Sequence, residues 1–484
     1  MQLTFIATIQ LAIGLAILLK GSLRSAFIFI VACGLFAGSA VIVLPALGGS
    51  SIPPVQVAIV LSYVLIFAGR DTYLPVLGDA LRANRWLAGF TLFGMASAVL
   101  APRLFAGTIQ IAPLRPTASA DMFETVMLGP TSQNLTTAFY LFGTLLVALG
   151  AFVLCRACRG GVAALVDAVV TVGWAHILIG LAVMAARGTP LDPVFEMLRN
   201  GNYAQLDQAH NGFVRIRGLF PEPSGFAEFG FALFVVNAEL WYRSIRPAAT
   251  GAVAFALAMV LAFSTSSTAY VGLFAYMLLF VLRALTLPHV APGLRIRQFL
   301  AATLGISVIG SIMMIAVPSL PIEFGEMVSD MTVGKSSSGS GEQRLFWAMQ
   351  GWEAFKASYG LGIGPGSFRS SSLLTAILGS TGVIGVFTFV VYLLSVLQPW
   401  RRSTWGSSAQ IEDSLGGAFA VASVLALIPA AVASAKADPG IMFALFAGAA
   451  LALRPVALWR RQTRPTPEPA EPAGELGFQP VTGN

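Results

Sequence analysis

Apolar positions in this chain do not alternate with polar ones; they run on in blocks. From about residue 3 to about residue 455 the blocks are roughly 17–25 residues long, each about 30 Å as a helix, which matches the hydrocarbon core of a bilayer. They fall at about 3–19, 25–47, 55–69, 86–101, 136–155, 162–186, 223–242, 248–264, 267–284, 299–318, 371–397, 414–432 and 439–455. The pattern predicts an all-α polytopic membrane protein with about 12–14 transmembrane helices. The third and fourth blocks are short and are expected to tilt or re-enter.

Composition agrees. Hydrophobic residues make up 56% of the chain and charged residues 11%, too few charges to cover the surface of a soluble protein of 484 residues. The formal net charge of +7 does not point to nucleic acid, because cytoplasmic loops of membrane proteins are ordinarily rich in Arg and Lys. One set of connections, mostly short, carries 18 of the 29 Lys and Arg residues and the other carries 11. The positive-inside rule therefore predicts a periplasmic N-terminus and a cytoplasmic C-terminus. In that topology the long connections 102–135, 187–222 and 319–370 all lie outside, the last with a short amphipathic helix near Phe346–Phe355 on the membrane surface. The expected divisions are N-terminal helices (1–186), a periplasmic loop (187–222), central helices (223–318), a large periplasmic loop (319–370), C-terminal helices (371–460) and a disordered cytoplasmic tail (461–484).

Several tempting motifs fail. Gly334-Lys335-Ser336 lacks the leading glycine and the strand of a phosphate-binding loop, and Pro365 takes the last glycine position in Gly360-Leu-Gly-Ile-Gly-Pro-Gly366. Cys155-Arg-Ala-Cys158 lacks the further ligands of a zinc site and the βαβ setting of a redox site. Asn134-Leu-Thr136 has glycosylation spacing. His176, inside the sixth block, reads as a packing or helix-bridging residue.

The segment Arg215-Ile-Arg217-Gly-Leu-Phe-Pro-Glu222-Pro-Ser224 is harder to dismiss. It follows His210, sets two guanidinium groups beside a proline-bracketed acid, and opens a hydrophobic block. Glu342, Gln343, Arg344 and Arg369 repeat this chemistry in the later outer loop. Arginine suits a phosphate or diphosphate site, since its planar fork engages two oxygens at once and keeps its charge. Glu222 either exchanges a proton or holds an arginine in place. Asp167, Glu228 and Glu239 lie in or at the ends of apolar blocks, where an acid is a functional candidate by default. Glu228, six residues beyond Glu222, is the most interesting of them.

These residues resemble the bacterial O-antigen ligase and polysaccharide polymerase superfamily, most closely its exopolysaccharide polymerase branch. The likeness covers about residues 200–390. It rests on R-x-R-G-L-F-P-E-P-S at 215–224, the polar turn Ser264-Thr-Ser-Ser-Thr268, Arg344 opening an amphipathic stretch, Gly360 to Arg369, and Leu378-Gly-Ser-Thr-Gly-Val-Ile-Gly385. It implies a GT-C type membrane glycosyltransferase that takes a glycan from an undecaprenyl diphosphate carrier at the periplasmic face of the inner membrane, with no metal or other cofactor. On that likeness Arg215, Glu222, Arg344 and Arg369 are the expected catalytic residues. Arg217, His210, Ser224, Glu228, Glu342 and Gln343 are the expected substrate-binding residues. The implied partners are the lipid-linked oligosaccharide, membrane lipids, and the flippase and chain-length or export proteins of a polysaccharide pathway. The chain lacks the arginine that many relatives carry in the 264–268 turn and the histidine of ligases near Arg369-Ser-Ser-Ser372. That favours a polymerase over an O-antigen ligase or a protein O-oligosaccharyltransferase. It leaves the general base open among Glu222, Glu342, Asp330 and His210. A transporter or flippase would carry charge at the bilayer midplane in broken helices, and a non-catalytic export scaffold would not need the arginines.

Overall fold

The computed structural model of the chain describes residues 2–45, 50–115, 123–201, 209–210, 213–287, 293–316 and 339–454. The tail 461–484, Asp330 and Gly334-Lys335-Ser336 lie outside the described residues.

The architecture is all-α and polytopic. Among the described residues, six helices are long and apolar enough to cross a membrane: α5 (Arg85–Leu104), α6 (Ser132–Ala157), α7 (Gly161–Ala186), α11 (Ser267–Thr286), α14 (Leu373–Leu397), and the pair α16 (Ile411–Leu425) and α17 (Leu427–Ala433), which reads as one span. A seventh arises if α3 (Pro54–Ala68) and α4 (Arg70–Ala83), bent by 118°, form one broken or re-entrant span. Shorter apolar helices are α1 (Phe5–Lys20), α2 (Leu23–Cys33, with a 3-10 turn to Phe36), α10 (Pro247–Phe263) and α18 (Ile441–Leu453). The remaining helices are α8 (Asp192–Leu198), α9 (Pro223–Tyr242), α12 (Gly293–Ala316), α13 (Gly339–Ala357) and α15 (Arg402–Trp405). Three small antiparallel sheets are the only strand structure among the described residues: β1–β2–β3 (Gln2–Leu3, Ile42–Leu44, Ser50–Ile52), β4–β5 (Gln110–Ile111, Val126–Met127) and β6–β7 (Ala209–His210, Phe213–Val214).

Fewer helices are of spanning length than the apolar blocks predict, for local reasons. The block at 25–47 is no continuous helix: α2 stops at Cys33 and the chain turns into β2. Gly38 explains the break, because it donates its N–H to the Leu219 carbonyl at 2.9 Å, and a Cβ there would sit 2.6 Å from that oxygen. The stretch 70–85, expected to be a loop, is instead α4. The block at 439–455 is only 13 helical residues, about 20 Å, and is buried throughout between α6 and α16. Its leading connection, 434–440, is therefore set into the protein.

Helix α9 forms the centre. It is apolar on every side and packs against α7, α10, α11 and α16. Its first turn lies at one end of the bundle. At the other end, Glu239 accepts bonds from Arg243 and from Arg283 (2.7 Å) and from the Tyr276 hydroxyl (3.2 Å). Arg243 also donates to the Thr404 carbonyl at 2.7 Å, and Arg454 donates to the Leu397 carbonyl and the Thr404 hydroxyl, each at 2.7 Å. This buried knot ties α9, α11, α14, α15 and the end of α18 together. Asp167 is likewise engaged, by Arg246. Two of the three intramembrane acids are thus structural.

A glycine strap closes the site end. Gly360, Gly362, Gly364 and Gly366 have φ of +83°, +84°, +93° and +83°, a left-handed conformation that favours glycine. The strap lies in a break of α14 at Gly382 (φ +58°), with Ile363 N bonded to Gly379 O, Gly364 N to Ser380 O and Val383 N to Gly360 O, each at 2.9 Å. Packing against α14, not phosphate binding, accounts for these glycines. The Asn134 amide donates to Pro365 O and Ser367 Oγ, both at 2.9 Å, so this buried asparagine is a strut rather than a glycan acceptor.

The strap makes a stability prediction. Gly188→Ala costs about 1–2 kcal/mol from its left-handed backbone alone, since nothing lies within 4 Å of a Cβ there. Gly366→Ala adds a contact of 2.4 Å with the Gln133 carbonyl. Thermal unfolding of the detergent-purified variants should show a clearly larger loss for Gly366→Ala; equal losses would contradict the docking of the strap.

Candidate functional site: a cationic cluster beside an apolar cleft

The Arg215–Ser224 segment is held at the site end by backbone bonds. Gly218 turns at φ +52°, its carbonyl accepts from buried Arg199 at 2.7 Å, and Phe220 N closes a turn on Arg217 O at 3.0 Å. Glu222 is the N-cap of α9, with its carbonyl accepting from Gly225 N (3.1 Å) and Phe226 N (3.3 Å). Pro223 then occupies the first turn, where a missing N–H is harmless. The loop that follows α2 clasps this segment and the chain ahead of it: Gly38 N bonds Leu219 O at 2.9 Å, Ala40 N bonds Asn200 Oδ1 at 2.8 Å and Gly201 N bonds Gly38 O at 3.0 Å.

The later loop arrives from the other side. α13 packs on α14 and leaves Leu345, Met349 and Trp352 exposed as one apolar face, the spacing expected of a helix lying on a membrane surface. Gln350 on the buried face accepts from Ala112 N at 3.0 Å, and Arg369 N bonds Ala112 O at 2.9 Å, which joins this loop to the first outer connection. The Arg369 guanidinium stacks over Trp347, 4.2 Å from the ring centroid. Ser371 Oγ donates to the Arg344 carbonyl.

Four predicted residues from two separate loops converge. Burial, with Arg344 close by, lowers the Arg215 guanidinium from its ordinary value, and Glu222 and Tyr270 act in the opposite sense. Arg369 is lowered by burial, offset by Glu222 and reinforced by Arg344. Glu222 therefore lies within electrostatic reach of both Arg215 and Arg369, which favours the reading in which it holds arginines in place.

The cluster also contains residues that sequence reasoning missed. Lys436, in the sunken connection between α17 and α18, lies within electrostatic reach of Arg369, Arg115 and Asp438, and its ammonium sits 4.8 Å from the Tyr140 ring centroid. Burial lowers Lys436 and raises Asp438 from their ordinary values. Asp438 Oδ1 accepts from Thr144 Oγ1 at 2.8 Å and Gly440 N at 3.1 Å. The signal was present as Lys436-Ala-Asp438-Pro-Gly440, two charges in a short break between apolar blocks.

Other predicted residues fall elsewhere. Arg217 bonds Glu196 at 2.8 Å, and the two line a depression of about 50 Å3 with Arg187, Asp192, Arg199 and Arg215. Glu342 is exposed in the first turn of α13, with Gln343 half-buried beside it. Ser224 is buried in the first turn of α9. His210 lies on β6, and its side chain is outside the described residues. His176 is buried and stacked on Phe226 at 4.0 Å, within a group that includes Phe220 and Phe229, so it is a packing residue as expected. Cys155 and Cys158 are free, and no group of metal-ligating side chains occurs among the described residues.

Next to the cluster lies an apolar cleft of about 260 Å3. Its walls include Ile30, Val55, Phe220, Phe229, Met442 and Phe443, and its acid is Glu228. Glu228 is half-buried and within electrostatic reach of Glu222 and Asp438, so the cleft opens on the charged site. Among the described residues the site gathers five cations, Arg115, Arg215, Arg344, Arg369 and Lys436, against the carboxylates of Glu222, Glu228 and Asp438. Guanidinium groups and an ammonium gathered in a half-buried setting suit an anionic ligand. Comparison with known proteins returns no matching family model and no matching curated protein.

The cluster predicts anion binding independently of any reaction. Inorganic pyrophosphate at about 100 times its Kd should stabilise the protein by about 2.7 kcal/mol, read as a rise in unfolding temperature. Arg215→Ala and Arg369→Ala should remove that rise. Arg103→Ala should keep it, because Arg103 is exposed and bonds only the Val99 carbonyl. No rise in the wild type would exclude an anion site.

Proposed function

We propose that the chain is a metal-independent membrane glycosyltransferase that polymerises oligosaccharide repeat units carried on a polyprenyl diphosphate, at the periplasmic face of a bacterial inner membrane. The observation that carries this reading is the convergence of Arg215, Arg344 and Arg369 from separate loops around Glu222, beside an apolar cleft. A diphosphate diester carries one negative charge per phosphate, which suits a cluster built on guanidinium groups. The first units of a polyprenyl chain suit an apolar cleft adjoining those cations.

The chemistry follows from the charge. Transfer of the glycan breaks the bond between the sugar and the diphosphate and moves an electron pair onto the leaving oxygen. Guanidinium groups fixed in advance stabilise that charge with little reorganisation and keep their proton throughout. Lys436 adds a further cation within electrostatic reach of Arg369, and the Trp347 ring packs against the Arg369 guanidinium. In this reading the depression around Arg187, Arg199 and Arg217 lies at the outer rim of the same site, sharing Arg215 with it.

The test uses purified protein and lipid-linked repeat units, with a ladder of lengthened products as the expected result. Arg215→Ala and Arg344→Ala should each lower the rate about 100-fold or more, the scale of losing one donor to a developing oxyanion. Arg215→Lys should recover only part of it, since the charge remains but the two-pronged geometry does not. A chelator should leave the rate unchanged. Near wild-type rates in both well-expressed alanine variants would sink the proposal. If long polymer still forms on the carrier in cells lacking the protein and only its transfer to a final acceptor is lost, the protein is a ligase.

Orientation is tested separately. In a background without Cys33, Cys155 and Cys158, a cysteine at exposed Gly188 should react with an impermeant maleimide from the periplasm, and one at exposed Ser407 should not. The reverse pattern would place the cluster on the wrong side for this substrate.

A further inference from the structure

A glycosyl transfer needs more than a leaving-group site. The acceptor hydroxyl must lose a proton as it attacks, and the residue that takes it needs a carboxylate or imidazole with a free lone pair facing open space. Of the three carboxylates in the cluster, Glu222 lies within electrostatic reach of the Arg215 and Arg369 guanidinium groups. Asp438 is engaged: it accepts from Thr144 and Gly440 and lies within electrostatic reach of Lys436. Glu342 is exposed, and buried His176 is stacked on Phe226.

Glu228 differs from all of these. It is half-buried, lines the cleft of about 260 Å3, and no hydrogen bond or ion pair engages it among the described residues. Glu222 and Asp438 flank it, so the site's anionic side is gathered next to its cationic side. Its position on rigid, centrally packed α9, about a turn and a half beyond Glu222, keeps it fixed relative to the arginines.

Building on the glycosyltransferase reading above, we infer that Glu228 is the general base that deprotonates the acceptor hydroxyl, from the wall of the apolar cleft, which Glu222 and Asp438 link to the arginine cluster. The acceptor O–H bond breaks and its proton passes to a Glu228 carboxylate oxygen. The oxygen's electron pair forms the new bond to the anomeric carbon. The bond from that carbon to the diphosphate breaks, and its electron pair leaves on the diphosphate oxygen against the arginines. Glu228 gives its proton to water after the product leaves.

The experiment compares wild type, Glu228→Gln, Glu228→Asp and Arg215→Ala with lipid-linked repeat units. Loss of a general base costs about 10²–10⁴-fold. Glu228→Gln should therefore lower kcat by about 100-fold or more while KM for the donor and stabilisation by pyrophosphate stay at wild-type values, and Glu228→Asp should recover part of kcat. The wild-type rate should fall toward acid pH as the base is protonated, and the residual rate of Glu228→Gln should lose that acid limb. The charged groups within electrostatic reach of Glu228 are Glu222, ahead of α9, and Asp438, between α17 and α18. Neither of them is altered in the variant.

A near wild-type kcat in Glu228→Gln with Arg215→Ala inactive would overturn the base assignment and leave the glycosyltransferase reading standing. Loss of pyrophosphate stabilisation together with turnover would also overturn it, by making Glu228 a structural residue. If Arg215→Ala is active as well, the reading on which the inference rests falls first.

Discussion

Like charges must be held together for this site to exist. Like charges repel, and more so out of water: Arg215 and Arg369 each lie within electrostatic reach of Arg344, and Lys436 within reach of Arg369, in a half-buried setting. No local sequence preference favours that. The repulsion is offset by Glu222, Glu228 and Asp438 and resisted by backbone that cannot move away. Leu219 is bonded to Gly38, Arg369 to Ala112, and the glycine strap is laid into the break of α14. The first and last of these clamps require two chain segments to approach closer than a Cβ allows, which is why glycine stands at Gly38, Gly362, Gly366 and Gly382.

The two ends of the bundle use arginine in opposite ways. At the far end, Arg243 and Arg283 share Glu239, and Arg454 spends its donors on carbonyls and on Thr404. That knot is a fastening: an acid buried with its donors in place, and rings of Tyr242 and Trp405 packed against Arg283. At the site end one acid, Glu228, lines a cleft and accepts no hydrogen bond from the described residues.

Much of the molecule was legible in the chain. Apolar blocks at bilayer length established an all-α polytopic protein, because backbone polar groups in lipid must be satisfied within each helix. The block at 223–242 coincides with α9, and the proline-bracketed acid before it opens that helix as expected. The pairing of charge in the first and later outer loops also led to Arg215, Glu222, Arg344 and Arg369, which the fold brings together.

What hydropathy could not carry was decided by contact. A window average rates 25–47 as one span, yet Gly38 must meet Leu219, so the helix ends early. The same average misses the α3–α4 bend and the sunken connection that brings Lys436 and Asp438 to the site, since neither departs from the apolar pattern by more than a few residues. Whether an acid is a strut or is left open is likewise invisible along the chain: Glu228 and Glu239 lie on the same helix, in similar surroundings of Phe, Ala and Val. Local composition therefore determined that the chain enters the membrane and which helices it forms. Only the packing of α9 against its neighbours decided that Glu239 meets two arginines and Glu228 meets a cleft, because a side chain's charge partners are set by segments far away in sequence.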